Sequence, residues 1–255
     1  MKSAIALLVT PALLHAGEPV SSAPATIVPE PSISSGWEIT TALYVPLMGL
    51  DGKVGVAGFA PAAVDLSFGD VLENMDGGLS GAIEFRKDRF FVGIDAIWLK
   101  LSDHVTPTPL TYVRFGQNQL TGSILTGYDI YRTESTSVAL MAGAAFNDID
   151  VDLELYSPLP PLRRSGSQSW IYPFFGVRVR HQLGERWTLF AESVYGGFDV
   201  SSEEYWQALA GVGYQLTENT SLALAYRIIS VDYKQGGFVY DTDTAGPNIG
   251  LIVKF

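Results

Sequence analysis

The sequence predicts an all-β fold: a closed antiparallel transmembrane β-barrel of about ten strands, with eight or twelve as the alternatives. Two observations carry this expectation. Segments in which apolar residues alternate with small or polar ones recur from Trp37 to Phe255, the period of strands with one lipid face and one lumen face. The connections alternate between short polar turns and longer acidic stretches, as in a barrel with a turn side and a loop side. A helical membrane protein is disfavoured, because no stretch approaches the roughly 18 consecutive apolar residues of a spanning helix.

Met1-Lys2 precedes an apolar run from Ala4 to Leu14, interrupted by Thr10 and Pro11, and Ala16 offers a small residue for cleavage. Residues 1–16 therefore read as a secretory signal peptide. Pro19, Pro24, Pro29 and Pro31 among Ser, Ala and Thr make 17–36 a Pro/Ser-rich periplasmic tether. From Trp37 the composition turns aromatic and Gly-rich without another linker, so 37–255 is one barrel domain.

The strand candidates are Trp37 to Leu47, Leu79 to Arg86, Phe90 to Leu101, Gln117 to Tyr131, Ser137 to Asn147, Trp170 to His181, Trp187 to Phe198, Trp206 to Leu216, Ser221 to Val231 and Ala245 to Phe255. Their even number puts both termini on one side, the periplasm. Tight turns fall at Lys87 to Arg89, Arg132 to Thr136, Gly184 to Arg186 and Thr217 to Thr220. The longer connections are 48–78, 102–116, 148–169, 199–205 and 232–244.

Face parity gives the orientation. Trp206, Ala208, Ala210, Val212, Tyr214 and Leu216 share one face, opposite Gln207, Leu209, Gly211, Gly213 and Gln215. Likewise Val138, Leu140, Ala142, Ala144 and Phe146 oppose Ser137, Ala139, Met141 and Gly143. A soluble barrel would place the bulky apolar face inside. Aromatics near strand ends, among them Trp37, Tyr131, Trp170, Trp187, Trp206 and Phe255, read as interfacial girdles.

The last strand ends Leu251-Ile252-Val253-Lys254-Phe255, with Phe255, Val253 and Leu251 on one face. It resembles the C-terminal signal read by the bacterial barrel-assembly machinery. The segments Gly49 to Val56 and Val64 to Leu72, with Glu84 to Phe90, are similar to small bacterial outer-membrane barrels in the neighbourhood of outer membrane protein W and the opacity-type proteins. The resemblance implies location in the outer membrane, with lipid and lipopolysaccharide as surroundings. It implies no cofactor and names no activity.

Parity points ten charges inward: Glu38, Glu84, Arg86, Asp95, Asp129, Arg178, Arg180, Glu192, Arg227 and Lys254. Five acids and five bases in a narrow lumen should pair across it, which predicts a mostly plugged interior with a structural or interaction role. The alternative is a gated small-solute channel with 48–78 as lid. That loop carries Phe59, Phe68, Leu72 and Met75, unusual for a solvated connection. Ser67 and Asp70 have the spacing of a helix cap. A further hairpin over Gly52 to Phe59 and Ala63 to Phe68 would make the strand count twelve.

Enzyme chemistry has little to work with. There is no Cys, and beyond the signal peptide His104 and His181 are the only histidines for general-base or metal work. Asp103-His104 at a strand end superficially resembles the omptin proteases, but strand neighbours point to opposite faces; an outer-membrane hydrolase stays a remote alternative. Asp148, Asp150, Asp152 and Glu154 recur every second residue, weak candidates for a divalent cation and better read as a solvated loop base. The formal charge of -11 argues against nucleic acid, and Arg163-Arg164 is too small a patch to change that. Oligomeric state has no signature.

Overall fold

The computed structural model describes residues 36–55, 61–108, 111–156, 160, 162–200 and 203–255. The expected signal peptide, the tether up to residue 35 and Phe59 lie outside the described residues. In chain order the elements are β1 (Glu38–Pro46), β2 (Gly49–Gly55), β3 (Ala62–Leu66), α1 (Phe68–Glu73), β4 (Met75–Lys87), β5 (Phe90–Thr108), β6 (Thr111–Arg132), β7 (Thr136–Tyr156), β8 (Leu162–Leu183), β9 (Trp187–Gly197), β10 (Glu204–Gln215), β11 (Thr220–Gln235) and β12 (Phe238–Lys254).

Ten of these strands close a barrel. β1 pairs with β4, each strand from β4 to β12 pairs with the next, and β12 returns to β1 through Thr40↔Lys254 to Pro46↔Asn248. All ladders are antiparallel. The extra hairpin of the twelve-strand alternative does form, as β2 and β3, but it adds no stave to the closed wall. β2 continues along the same edge of β12 that β1 occupies, from Ala245↔Gly49 to Val239↔Gly55. Among the described residues β3 pairs with β2 alone, on the edge away from β12.

Three expected long connections are largely strand. β5 and β6 pair as far as Thr108↔Thr111, β7 and β8 as far as Leu155↔Leu162, and β11 and β12 as far as Gln235↔Phe238. The period of two simply continues past the apolar belt. Ile149 and Val151 are buried while Asp148, Asp150 and Asp152 are exposed, so the acids mark a soluble extension of the sheet. The β11–β12 hairpin turns on Gly236 and Gly237, both at positive φ (61° and 85°), the backbone that a two-residue primed turn needs.

The outside is apolar. Leu43, Leu79, Ile94, Ile124, Leu140, Phe175, Leu224 and Ile249 are all exposed large hydrophobics, an arrangement a water-facing surface does not sustain. No helix is long and apolar enough to span a bilayer among the described residues, so the belt belongs to strands. Trp37, Tyr131, Trp187 and Phe255 sit exposed near the turn end. Trp170 is a correction: it is buried inside and stacks on Tyr233 at 4.2 Å between ring centroids. Its even position on β8 shares the inward face of Tyr172 and Phe174, which outweighs its place near a segment end.

Candidate functional site

The inward charges assemble into two levels. Glu84 of β4 anchors the one nearer the tight turns. Arg178 of β8 reaches it at 2.5 Å and holds Glu192 of β9 at 2.7 Å. Arg86 lies 3.2 Å from Glu84 and 2.7 Å from Asp129 of β6, while Arg180 stands 3.6 Å from Glu84. The Phe91 ring centroid lies close to two guanidinium groups, 4.4 Å from that of Arg86 and 4.9 Å from that of Arg178. The side chains of Glu84, Arg86, Asp129, Arg178 and Glu192 are between 1% and 14% exposed, so the network is largely shielded from solvent.

The second level joins Asp95 of β5 to Arg227 of β11 at 2.9 Å. The Tyr44 hydroxyl donates to Asp95 at 2.7 Å and accepts from Arg227 at 3.1 Å, and Gln207 accepts from Arg227 at 2.9 Å. Glu38 and Lys254 stay apart from both levels and pair with each other at the rim, 2.9 Å apart. Parity reasoning missed four participants: Tyr44, Phe91, Gln207 and Arg132, which lies 3.5 Å from Asp129. Phe91 and Asp95 lie on one face of β5, and Tyr44 shares its face with Ala42, so the period was present. Their role was hidden because it depends on which strands face each other across the lumen.

Beyond these levels lies a cavity of about 550 Å³ at the wall, bordered by Phe68, Leu72 and Met75 of the first long connection. α1 starts at Ser67, whose hydroxyl accepts from the Asp70 N–H while Asp70 accepts from the Ser67 N–H, a complete capping box. Phe255 is 72% exposed and donates its N–H to the Ile39 carbonyl at 2.8 Å; Leu251 is exposed on the same outer face and Val253 is half-buried there.

The acidic ladder does not converge. Asp148 accepts from the Ser169 hydroxyl, Glu154 pairs with Arg163 at 3.3 Å, and Asp150 and Asp152 point outward. No group of three metal-ligating side chains occurs among the described residues. His181 shares a hydrogen bond of 2.8 Å with the Thr136 hydroxyl near a tight turn. Asp103 and His104 fall on β5 opposite Phe115 and Arg114, and their side chains lie outside the described residues.

With this wall and interior in hand, the comparison with solved structures is direct. The fold is that of the bacterial outer-membrane β-barrels. The chain is similar to the outer membrane protease OmpT from Escherichia coli, with 11% identity and a TM-score of 0.55, over 89% of this chain and 99% of that one. Weaker matches include Neisserial surface protein A, at 16% identity and TM-score 0.36 over 87% of this chain and 98% of that one. Another is the N-terminal barrel domain of Pseudomonas aeruginosa OprF, at 12% identity and TM-score 0.35 over 86% and 97%. The sequence matches no protein-family model and no curated protein. Identities this low carry architecture and not activity.

Proposed function

We propose that this chain is a bacterial outer-membrane barrel, exported through residues 1–16 and inserted with both termini periplasmic, whose lumen is shut to solutes. Its role is in the envelope, as a structural or interaction protein without enzymatic activity. Its surroundings are outer-membrane lipid and lipopolysaccharide, and Phe255, Val253 and Leu251 present the signal for the barrel-assembly machinery. A relation to outer membrane protein W and the opacity-type proteins is part of the proposal, supported by the segments Gly49 to Val56 and Val64 to Leu72.

One observation carries the closed reading. Glu84 and Arg178 belong to strands on opposite sides of the ten-strand ring, yet their side chains meet. An open pore would keep acids and bases apart across water, whereas here each is neutralised by a partner. The second reading, a gated channel lidded by 48–78, is favoured only by the placement of Phe68, Leu72 and Met75 at the cavity. Planar-bilayer conductance of the refolded protein tests the choice: the parent should remain closed, and steady small-solute conductance in it would overturn the proposal.

A further inference from the structure

The barrel wall is incomplete between β1 and β4. Their ladder runs from Glu38↔Arg86 to Leu43↔Gly81 and ends there, although β1 continues to Pro46 and β4 begins back at Met75. Beyond that point β1 and β2 pair with β12, β3 takes the other edge of β2, and β4 pairs with β5. No ladder joins β3 to β4 among the described residues. Ser80, the first inward residue past the last pair, donates its hydroxyl to the Tyr44 carbonyl in place of a strand contact.

The cavity passes through this gap. Its outer part is bounded by Leu43, Val45, Leu79, Ile249 and Leu251, all exposed on the apolar exterior. Its inner part is bounded by Ser80, Gln117, Gln119, Thr121, Asn147 and Tyr240 inside the barrel. One empty volume therefore has an apolar end facing lipid and a polar end facing the lumen. About 550 Å³ lies within the roughly 300–1,000 Å³ typical of small-ligand sites.

The polar end narrows the occupant. Gln117 donates to Gln119 at 2.8 Å, Gln119 to Thr121 at 2.9 Å and to the Tyr240 hydroxyl at 3.3 Å, and Thr121 to Asn147 at 2.7 Å. Amides and hydroxyls of this kind keep spare donor and acceptor capacity for a neutral polar group. No charged side chain lines the cavity among the described residues, and Arg227 is taken up by Asp95, Tyr44 and Gln207. A carboxylate, phosphate or ammonium head would lose its hydration with no counter-charge to meet.

We infer that this cavity binds a neutral single-chain amphiphile that enters sideways from the bilayer. Its alcohol or amide head meets Gln117, Gln119, Thr121 and Asn147, and its tail runs through the wall gap against Leu43, Leu79 and Leu251. The inference rests on the closed-lumen reading, since the ion-paired levels on the turn side make the cavity a dead end.

The test uses the full-length barrel in phosphatidylcholine vesicles titrated with radiolabelled dodecanol. Unlabelled dodecanol, dodecanoate and dodecyltrimethylammonium serve as competitors. The expected result is a saturable component of about one dodecanol per barrel, displaced by dodecanol roughly tenfold better than by either charged homologue. Gln119→Leu should weaken that component by up to about tenfold, the loss of one to two hydrogen bonds; Thr121→Val replaces it if heat-modifiable migration shows that Gln119→Leu has not assembled. Uptake that only scales with lipid, or equal displacement by dodecanoate, overturns the inference. Conductance of the same vesicles separates the two readings: an open barrel with saturable uptake removes the closed lumen and keeps the site, and a closed barrel without it removes the site alone.

Discussion

Arg178 bridges Glu84 and Glu192 across the lumen, with its Nη1 2.5 Å from Glu84 Oε2 and its Nη2 2.7 Å from Glu192 Oε2. Removing it would strand Glu192 and deprive Glu84 of its shortest contact, leaving Arg86 and Arg180 to compensate. Losing one member of a buried pair typically costs about 3–5 kcal/mol. Arg178→Ala should therefore destabilise the barrel by about that amount in refolding titrations in vesicles, and raise its conductance above that of the parent. The double variant Arg178→Ala with Glu192→Ala should cost less than the sum of the two singles, because the second change removes a charge already orphaned. Strict additivity would mean that the pair is not energetically coupled.

A second dependence runs through Gly127. A Cβ there would overlap the ring of Phe91, the same ring that Arg86 and Arg178 contact. Gly127→Ala should cost about 1–3 kcal/mol as overpacking. Shrinking the ring with Phe91→Leu in the Gly127→Ala background should recover part of that loss. A double variant less stable than Gly127→Ala alone would show that the ring is not the obstacle.

The two faces of β10 differ in what they tolerate. Val212 lies on the outward face, three residues before the end of β10 at Gln215, so Val212→Arg should destabilise in vesicle refolding, by less than the roughly 2–4 kcal/mol of an arginine at the bilayer midplane. Gly213 faces inward with its nearest obstacle at 3.8 Å, and Gly213→Ser should be mild. Gly211 is the internal control: a Cβ there would lie 2.5 Å from the Leu224 carbonyl oxygen and 2.6 Å from Ala225 Cβ, so Gly211→Ser should be harmful despite its inward direction. Equal effects at 211 and 213 would contradict the register of β10 against β11.

These contrasts also show where sequence reading stops. The period of two gave the inward direction of Glu84, Arg178 and Arg227, because strand parity is local. Which charge meets which is a property of the closed ring, and parity cannot tell that Asp95 faces Arg227 while Lys254 stays with Glu38 at the rim. Trp170 shows a different limit: its place near a segment end resembles a girdle, but β8 extends back to Leu162, so the inward parity it shares with Tyr172 and Phe174 decides. The wall gap left one faint mark. Pro46, the last residue of β1, has no N–H to offer a second neighbour, and proline in a sheet belongs at edges.

The last prediction concerns α1, whose residues border that gap. The Ser67 hydroxyl and N–H both donate to the Asp70 carboxylate, at 2.6 Å and 2.8 Å, and hold its pKa below the ordinary value. A lowered folded pKa means that the cap contributes in full above the ordinary carboxylate range and is lost as pH falls through the lowered value. Amide-exchange protection at Val71 and Asn74, whose N–H groups bond to the Ser67 and Asp70 carbonyls, should decline in that acidic window once intrinsic rates are corrected. Asp70→Ala should show weaker protection and no such decline. Protection at Val71 that is flat with pH in the parent would mean that packing of Phe68 and Val71 against the cavity, and not the capping box, holds the helix in place.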